Sequence, residues 1–331
     1  AAARFDPAAQ LLDTPGVLLA PDARSGGNGS ALVRVIHVGL AAVTIDVYVT
    51  APDDNLDDFG PNFGGVGSGQ TTIGLRLSPG TYRVRGAISG SKVVIYDSGT
   101  VELVENTSIN LLFYTLRSAN LLQCMVLPVS GSGAGAVVAT NQMSALKVVN
   151  AAIDAGTIDG FFDGTKFVDD IPYAAATAYL FQATGAHTLT FEATSTAGAA
   201  IASLQRTLES TSDISVLVVG FPGAVQAIAF ADDNIVPPVG ACRVRFINAS
   251  SDNAAYDVYV GDTKQVSALA ARTASEYVTL VPATYTFTFR DPASGATVLT
   301  VADQAIGEGR VTTFYAAGAV GQLSSIASTD R

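Results

Sequence analysis

The sequence predicts an all-β chain of three tandem β-sandwich domains, and three observations predict it. A motif recurs, at residues 31–37 with 44–49, at 145–150 with 157–162, and at 241–248 with 256–260. In each copy a base (Arg34, Lys147, Arg245) stands twelve positions before an aspartate (Asp46, Asp159, Asp257), and an aromatic (Tyr48, Phe161, Tyr259) stands two positions after it. The copies lie 113 and then 98 residues apart (positions 34, 147 and 245), spacings that let each bury its own core. Only 14% of residues are charged, while Val, Ile, Thr, Tyr and Phe recur in short runs bounded by Gly and Pro, which reads as strands and turns.

Composition also excludes. The net charge of −11 over 331 residues opposes a polyanionic partner, so nucleic-acid binding is set aside. Mean hydropathy is +0.35, and the uncharged run 214–231 approaches the ~18 residues of a membrane helix. Pro222-Gly223 in its middle would break a helix and suits a hairpin turn, so no membrane span is expected. The chain opens Ala-Ala-Ala-Arg without Met, which reads either as an exported form left by signal-peptide removal or as a chain trimmed at that point. Two cysteines, Cys124 and Cys242, are too few for a disulfide scaffold; a disulfide and inert core thiols both remain open.

Taken in order, residues 1–30 match none of the repeats and form an N-terminal extension. Asp6-Pro7 could cap a short helix that Pro15-Gly16 stops, and Val17, Leu18, Leu19 and Ala20 form an apolar run on a glycine-rich tether. Domain one is read as 31–143. Residues 52–69, rich in Gly and Asp, lengthen it relative to the other two copies and are expected to be a long loop. Segments 81–85, 183–192 and 281–289 are turn-and-strand equivalents. They place Tyr82, His187 and Tyr285 where a tyrosine hydroxyl closes the corner of a sandwich, with His187 a structural stand-in. Each domain closes with an apolar hairpin (109–114 with 121–129, 214–220 with 225–230, 311–315 with 323–326) lacking clean polar alternation. One face of each hairpin is therefore expected to pack on something beyond its own core. Linkers follow: a flexible one at 130–135, and an extended one at 232–240 joining domain two (144–240) to domain three (241–331).

These repeats resemble a bacterial secreted family, domain of unknown function 4397. The resemblance rests on Val33-Arg-Val35, Ile45-Asp-Val-Tyr-Val49, Pro79-Gly-Thr-Tyr82, Asp232-Asp-Asn234 with Pro237-Pro238, Val244-Arg-Phe246 and Tyr256-Asp-Val-Tyr-Val260. It covers about nine tenths of the chain, with the second repeat the most divergent. It implies three tandem immunoglobulin-like antiparallel β-sandwich domains in an extracellular setting, and it carries over no catalytic residues.

The residues offer little chemistry. Each base–aspartate pair reads as a structural ion pair between facing strands. Asp53, Asn55 and Asp57 alternate as calcium ligands do, but Asp58 stands where glycine is needed and Gly64 where a glutamate is. Two histidines and no Gly-x-Ser-x-Gly elbow leave no hydrolytic triad, and no cofactor or metal site is expected. The leading expectation is a non-enzymatic surface protein that assembles head to tail as a homo-oligomer or polymer through Val17–Ala20. The second is a monomeric adhesin that binds a surface glycan or protein through Asp57, Phe59 and Phe63.

Overall fold

The computed structural model describes residues 27–39, 43–116, 120–130 and 135–331, with the side chain of residue 130 left out. The N-terminal expectations, Val17–Ala20 included, and most of the 130–135 linker lie outside the described residues. Strands account for 61% of the described residues, in six sheets that pair into three sandwiches. By compactness the chain divides into two units. One runs to Ser144 and adds Phe181–Thr184 and Glu209–Ser212; the other holds Ala145–Leu180, Gly185–Leu208 and Asp213–Arg331.

All three sandwiches share one wiring, to which the first adds the edge strand Val137–Ala139. In the first, one sheet orders Phe63–Val66, Ile45–Thr50, Gly80–Ile88 and Val94–Leu103; the other orders Val137–Ala139, Leu122–Ser130, Ser108–Thr115 and Ala31–His37, whose far edge pairs with Gln70–Thr71 and Leu75–Leu77. The opening strand of each module runs parallel to the first strand of the closing hairpin, so one pair per module is parallel within sandwiches that the family resemblance implied to be antiparallel. A parallel pair needs a long crossover, and the whole second sheet supplies it. The registers coincide: Arg34 lies beside Asn110, Lys147 beside Ser215, and Arg245 beside Thr313.

The hairpins form where the apolar runs place them. Asp213–Gly220 turns through Phe221–Ala224, with Gly223 at φ 79°, into Gln226–Asp232. The sandwich corners also form: the Tyr82 hydroxyl donates to the Ser78 carbonyl (3.0 Å), and that of Tyr285 to the Val281 carbonyl (2.6 Å). The cores differ in filling. The third module stacks Phe246, Phe287, Phe289 and Phe314 with ring centroids 4.6–6.1 Å apart. The second places Phe191, Phe167 and Val168 around Gly160, where a Cβ would meet Val168 Cγ2 at 2.4 Å. That crowding explains why the motif reads Asp-Gly there and Asp-Val in its two siblings.

The motif base and the motif aspartate do not pair, a correction to the sequence expectation. They lie in different sheets: the base on the outer face of the closing sheet, the aspartate on the other sheet beside a bulge. There the aspartate accepts the backbone N–H of a residue held in left-handed conformation: Gly65 (φ 64°) to Asp46 at 2.7 Å, Asp170 (φ 50°) to Asp159 at 2.9 Å, and Ala268 (φ 48°) to Asp257 at 2.8 Å. Non-glycine residues resist that conformation, and a charge-assisted hydrogen bond holds them in it. The expected long loop 52–69 is likewise largely ordered. Phe63–Val66 is a strand, Leu56 and Phe63 are buried, and Lys92 Nζ donates to the carbonyls of Leu56 (2.8 Å) and Phe59.

Candidate functional site

A cluster of buried charge lies on the outer face of the closing sheets of the second and third modules. Along Met143–Ala152, alternate residues Leu146 and Val148 fill the second module's core, so Lys147 and Val149 point the other way. Along Cys242–Ser250, Val244 and Phe246 do the same, and Arg245 and Ile247 point outward. These two outer faces meet. Val149, Ala151, Leu217 and Val219 of one module pack against Ile247, Ala249, Tyr315 and Ala317 of the other in a shared buried cluster.

At one end of that cluster the two modules exchange ion pairs. Lys147 Nζ donates to Asp330 Oδ1 and to Ser328 Oγ (2.9 Å), both from the third module. Arg245 Nη2 donates to Asp232 Oδ1 of the second, and its Nη1 to the Ala231 carbonyl at 3.0 Å. All four charged side chains are 0–3% exposed. Each acid is completed from its own module: Asp232 Oδ2 accepts from Tyr179 and Ser215 (both 2.6 Å), and Asp330 Oδ2 from Thr313 (2.5 Å). Each base lies over a tyrosine of its own module, Lys147 over Tyr179 (5.0 Å) and Arg245 over Tyr277 (4.8 Å). Lys147, Tyr179, Ser215 and Asp232 recur 98 positions later as Arg245, Tyr277, Thr313 and Asp330. The seam is therefore self-complementary, as a two-fold interface is.

Electrostatics follows from the burial. Desolvation alone would push the Lys147 ammonium down; Tyr315, Asp330 and Asp232 more than offset it and hold the group above the usual lysine value. Arg245 is raised in the same way, burial opposing and Asp232 prevailing. Desolvation, reinforced by the acids, pushes the Tyr179 hydroxyl far up, so it stays protonated and donates. Such a cluster fixes register and charge, with its hydroxyls donating to the two carboxylates. The segment read as a linker belongs to it: Asn234 is fully buried, its Nδ2 donating to Tyr179 Oη (3.1 Å) and Asp213 Oδ2 (2.6 Å).

Among the described residues one acidic trio, Asp159, Asp169 and Asp170, lies close enough to hold a cation. Lys166 Nζ already bridges Asp159 (2.8 Å) and Asp169 (2.7 Å), as Lys264 pairs with Asp257 (2.9 Å) in the third module, so the trio is the bulge clamp with its counter-ion. His187 Nδ1 lies 2.7 Å from Asp163 Oδ2, and its ring rests on Phe162 (4.3 Å). Of the loop residues singled out in the sequence, Asp57 and Phe59 are exposed and Phe63 is interior. Cys124 and Cys242 are free, buried thiols; burial pushes that of Cys124 up to about 12.

A position missed in the sequence is the third residue after each motif base. Asn150 donates to the carbonyls of Gly156 (2.9 Å) and Ile171 (3.0 Å) and accepts from Ala152 N–H (3.1 Å). Asn248 repeats this on Ala254, Leu269 and Ser250, and in the first module His37 takes the place, Nδ1 accepting from Gly39 N–H (3.2 Å) and Nε2 facing the Val43 carbonyl (3.2 Å). The recurrence at one offset from the base was the available signal.

The model of the domain of unknown function DUF4397 matches residues 144–255 and again 242–331, together more than half of the chain. The chain belongs to this family. The two matched DUF4397 copies are those joined by the seam, and residues 31–139 carry the same strand order. No curated protein matches. Among solved structures the chain is similar to the Bacillus anthracis TIE protein at 10% identity and a TM-score of 0.18, with 87% of this chain and 50% of that one covered. It thus spans about half the length of that protein. It is also similar to a family CBM26 module from Eubacterium rectale Amy13K, crystallised with maltoheptaose, at 8% identity and a TM-score of 0.19 over 62% of this chain and 96% of that one. Among the described residues no helix is long and apolar enough to cross a membrane.

Proposed function

We propose that this DUF4397 chain is a non-enzymatic extracellular structural protein, a subunit of a surface filament or matrix whose N-terminal segment packs on the neighbouring subunit. The observation that supports it most is the seam. Two modules commit their bases, acids and tyrosines to holding one another in register, and the charged clusters elsewhere serve bulges and loops. Such a protein transmits position and carries no reaction. Negative-stain microscopy of the chain and of the same chain lacking residues 1–24 tests this reading. Regular filaments that vanish on truncation are expected; separate particles in both samples contradict it.

A second reading, a surface adhesin, draws on the loop of the first module. Phe59 is 41% exposed beside exposed Asp57 and Asp58, on a loop that Lys92 fastens through two carbonyls. Glycan-array binding that is lost with Phe59→Ala supports that reading; unchanged binding removes it.

A further inference from the structure

The seam is symmetric in its acids and asymmetric in its bases. Arg245 meets Asp232 at one place, and Lys147 meets Asp330 at the equivalent one. For a buried pair arginine is the inert choice, because its guanidinium does not lose a proton and its fork matches a carboxylate. Lysine brings something else, a primary amine that becomes a nucleophile once one proton leaves. The Lys147 and Asp330 side chains are 1% and 0% exposed, so bulk water neither solvates the pair nor competes for the carboxyl carbon.

The Asp330 carboxyl is also prepared for addition. Lys147 Nζ contacts its Oδ1. Ser328 Oγ donates to the same oxygen at 2.8 Å, and Thr313 Oγ1 donates to Oδ2 at 2.5 Å. Two hydroxyls therefore face the oxygens on which charge builds when a nucleophile adds to the carboxyl carbon. A second carboxylate stands by: Asp232 Oδ2 lies 4.0 Å from Nζ, held by Tyr179 and Ser215. Lys147 lies within the strand Met143–Ala152 and Asp330 directly follows Ser324–Thr329, so both groups are fixed in position. The surrounding acids favour the ammonium form of Lys147. Passing its proton to Asp330 turns both partners neutral, the state that burial favours.

We propose that Lys147 and Asp330 condense into an amide, an intramolecular isopeptide bond that locks the second module to the third. Lys147 first gives a proton to Asp330 Oδ1, leaving an amine beside a carboxylic acid. The nitrogen lone pair attacks Cγ, the C–N bond forms, and the carbonyl electrons move onto Oδ2, where Thr313 donates. The nitrogen then loses a second proton to Asp232. Oδ1 departs with that proton as water, the C=O bond re-forms at Oδ2, and Asp232 is a carboxylate again. One water is lost, nothing is oxidised or reduced, and no co-reactant is needed. At the Arg245 position the step is closed, because the guanidinium stays protonated. The condensation happens once per chain and turns over no substrate, so it goes beyond the functional readings above and holds for a filament subunit and an adhesin alike.

The test is the intact mass of the purified full chain, followed by tandem mass spectrometry of its digest. A chain lighter than its sequence by one water is expected, with the peptide carrying Lys147 joined to the peptide carrying Asp330. Because the bond ties together residues 183 positions apart, the denatured chain should also run faster on a gel than Lys147→Arg, which keeps the charge and lacks the amine. The linked fraction should fall several-fold in Asp232→Asn, which removes the proton relay. A full-sequence mass with both peptides free after prolonged incubation overturns the proposal. So does a lost water that maps elsewhere, or linkage undiminished in Asp232→Asn. The unsubstituted chain decides whether the bond exists, so a variant that fails to fold does not obscure the answer.

Discussion

Two sets of ion pairs in this chain use the same residue types to opposite ends. At the bulges, Lys166 on Asp159 and Lys264 on Asp257 keep lysine side chains 44% and 43% exposed. In the seam, Lys147 on Asp330 and Arg245 on Asp232 are withdrawn from water altogether. At the bulge the aspartate matters for the backbone N–H it accepts, and the lysine is a solvated accessory. In the seam neither partner can be removed alone, because the other would be left as a buried, uncompensated charge. Burial, and not the pairing itself, decides what a salt bridge does here.

The comparison is broken most sharply at the seam. Lys147→Met should destabilise the unit of modules two and three by about 3–5 kcal/mol in urea titration, and replacing Asp330 by Leu in the same chain should recover much of it. At the bulge the acid should dominate. Asp257→Ala, which strands the Ala268 N–H in a left-handed turn, should cost about 1–3 kcal/mol, whereas Lys264→Ala should leave the midpoint nearly unchanged. If Lys264→Ala matched Asp257→Ala, the bulge would be a true ion-pair site.

His37 extends the comparison to a buried group without a counter-ion. Desolvation holds its pKa below the ordinary value, against weaker support from the Val43 and Phe113 carbonyls. The unfolded chain then takes up the proton first, so the contribution of His37 is present at neutral pH. It is lost as pH falls below about 6.5, with a slope of up to about 1.4 kcal/mol per unit. His37→Asn, the residue of the sibling modules, should flatten that part of the acid profile; an unaltered profile would show that His37 is not its source. The smallest effect belongs to the corners: Tyr285→Phe removes one hydroxyl-to-carbonyl bond, about 0.5–1.5 kcal/mol by thermal or urea unfolding.

Much of this fold was legible because its signals are local. Each copy of the repeat, each closing hairpin, the turn at Pro222-Gly223 and the corner tyrosines depend on residues that are near neighbours in sequence. The lack of polar alternation in those hairpins announced a second covered face, which the seam provides for modules two and three. The partner of each base was not legible, because Lys147 and Asp330 are 183 residues apart and twelve-residue spacing offered a nearer aspartate. Asp232 and Asn234 read as linker since polar residues before Pro237-Pro238 suggest solvent, yet both are buried. Phe63–Val66 read as loop because its two outward positions are glycines, which hide the alternation of a strand.

The central claim is that each module's base is neutralised by the other module's acid. A double-mutant cycle of Lys147→Met and Asp330→Asn in the full chain, followed by urea unfolding, measures this most directly. Coupling of at least about 1.5 kcal/mol, with the double variant less destabilised than the sum of the two single variants, is the result expected of buried, contacting partners. Additive effects, with coupling near zero, would mean that the two residues act separately, and the seam would be an apolar contact with charges at its margin.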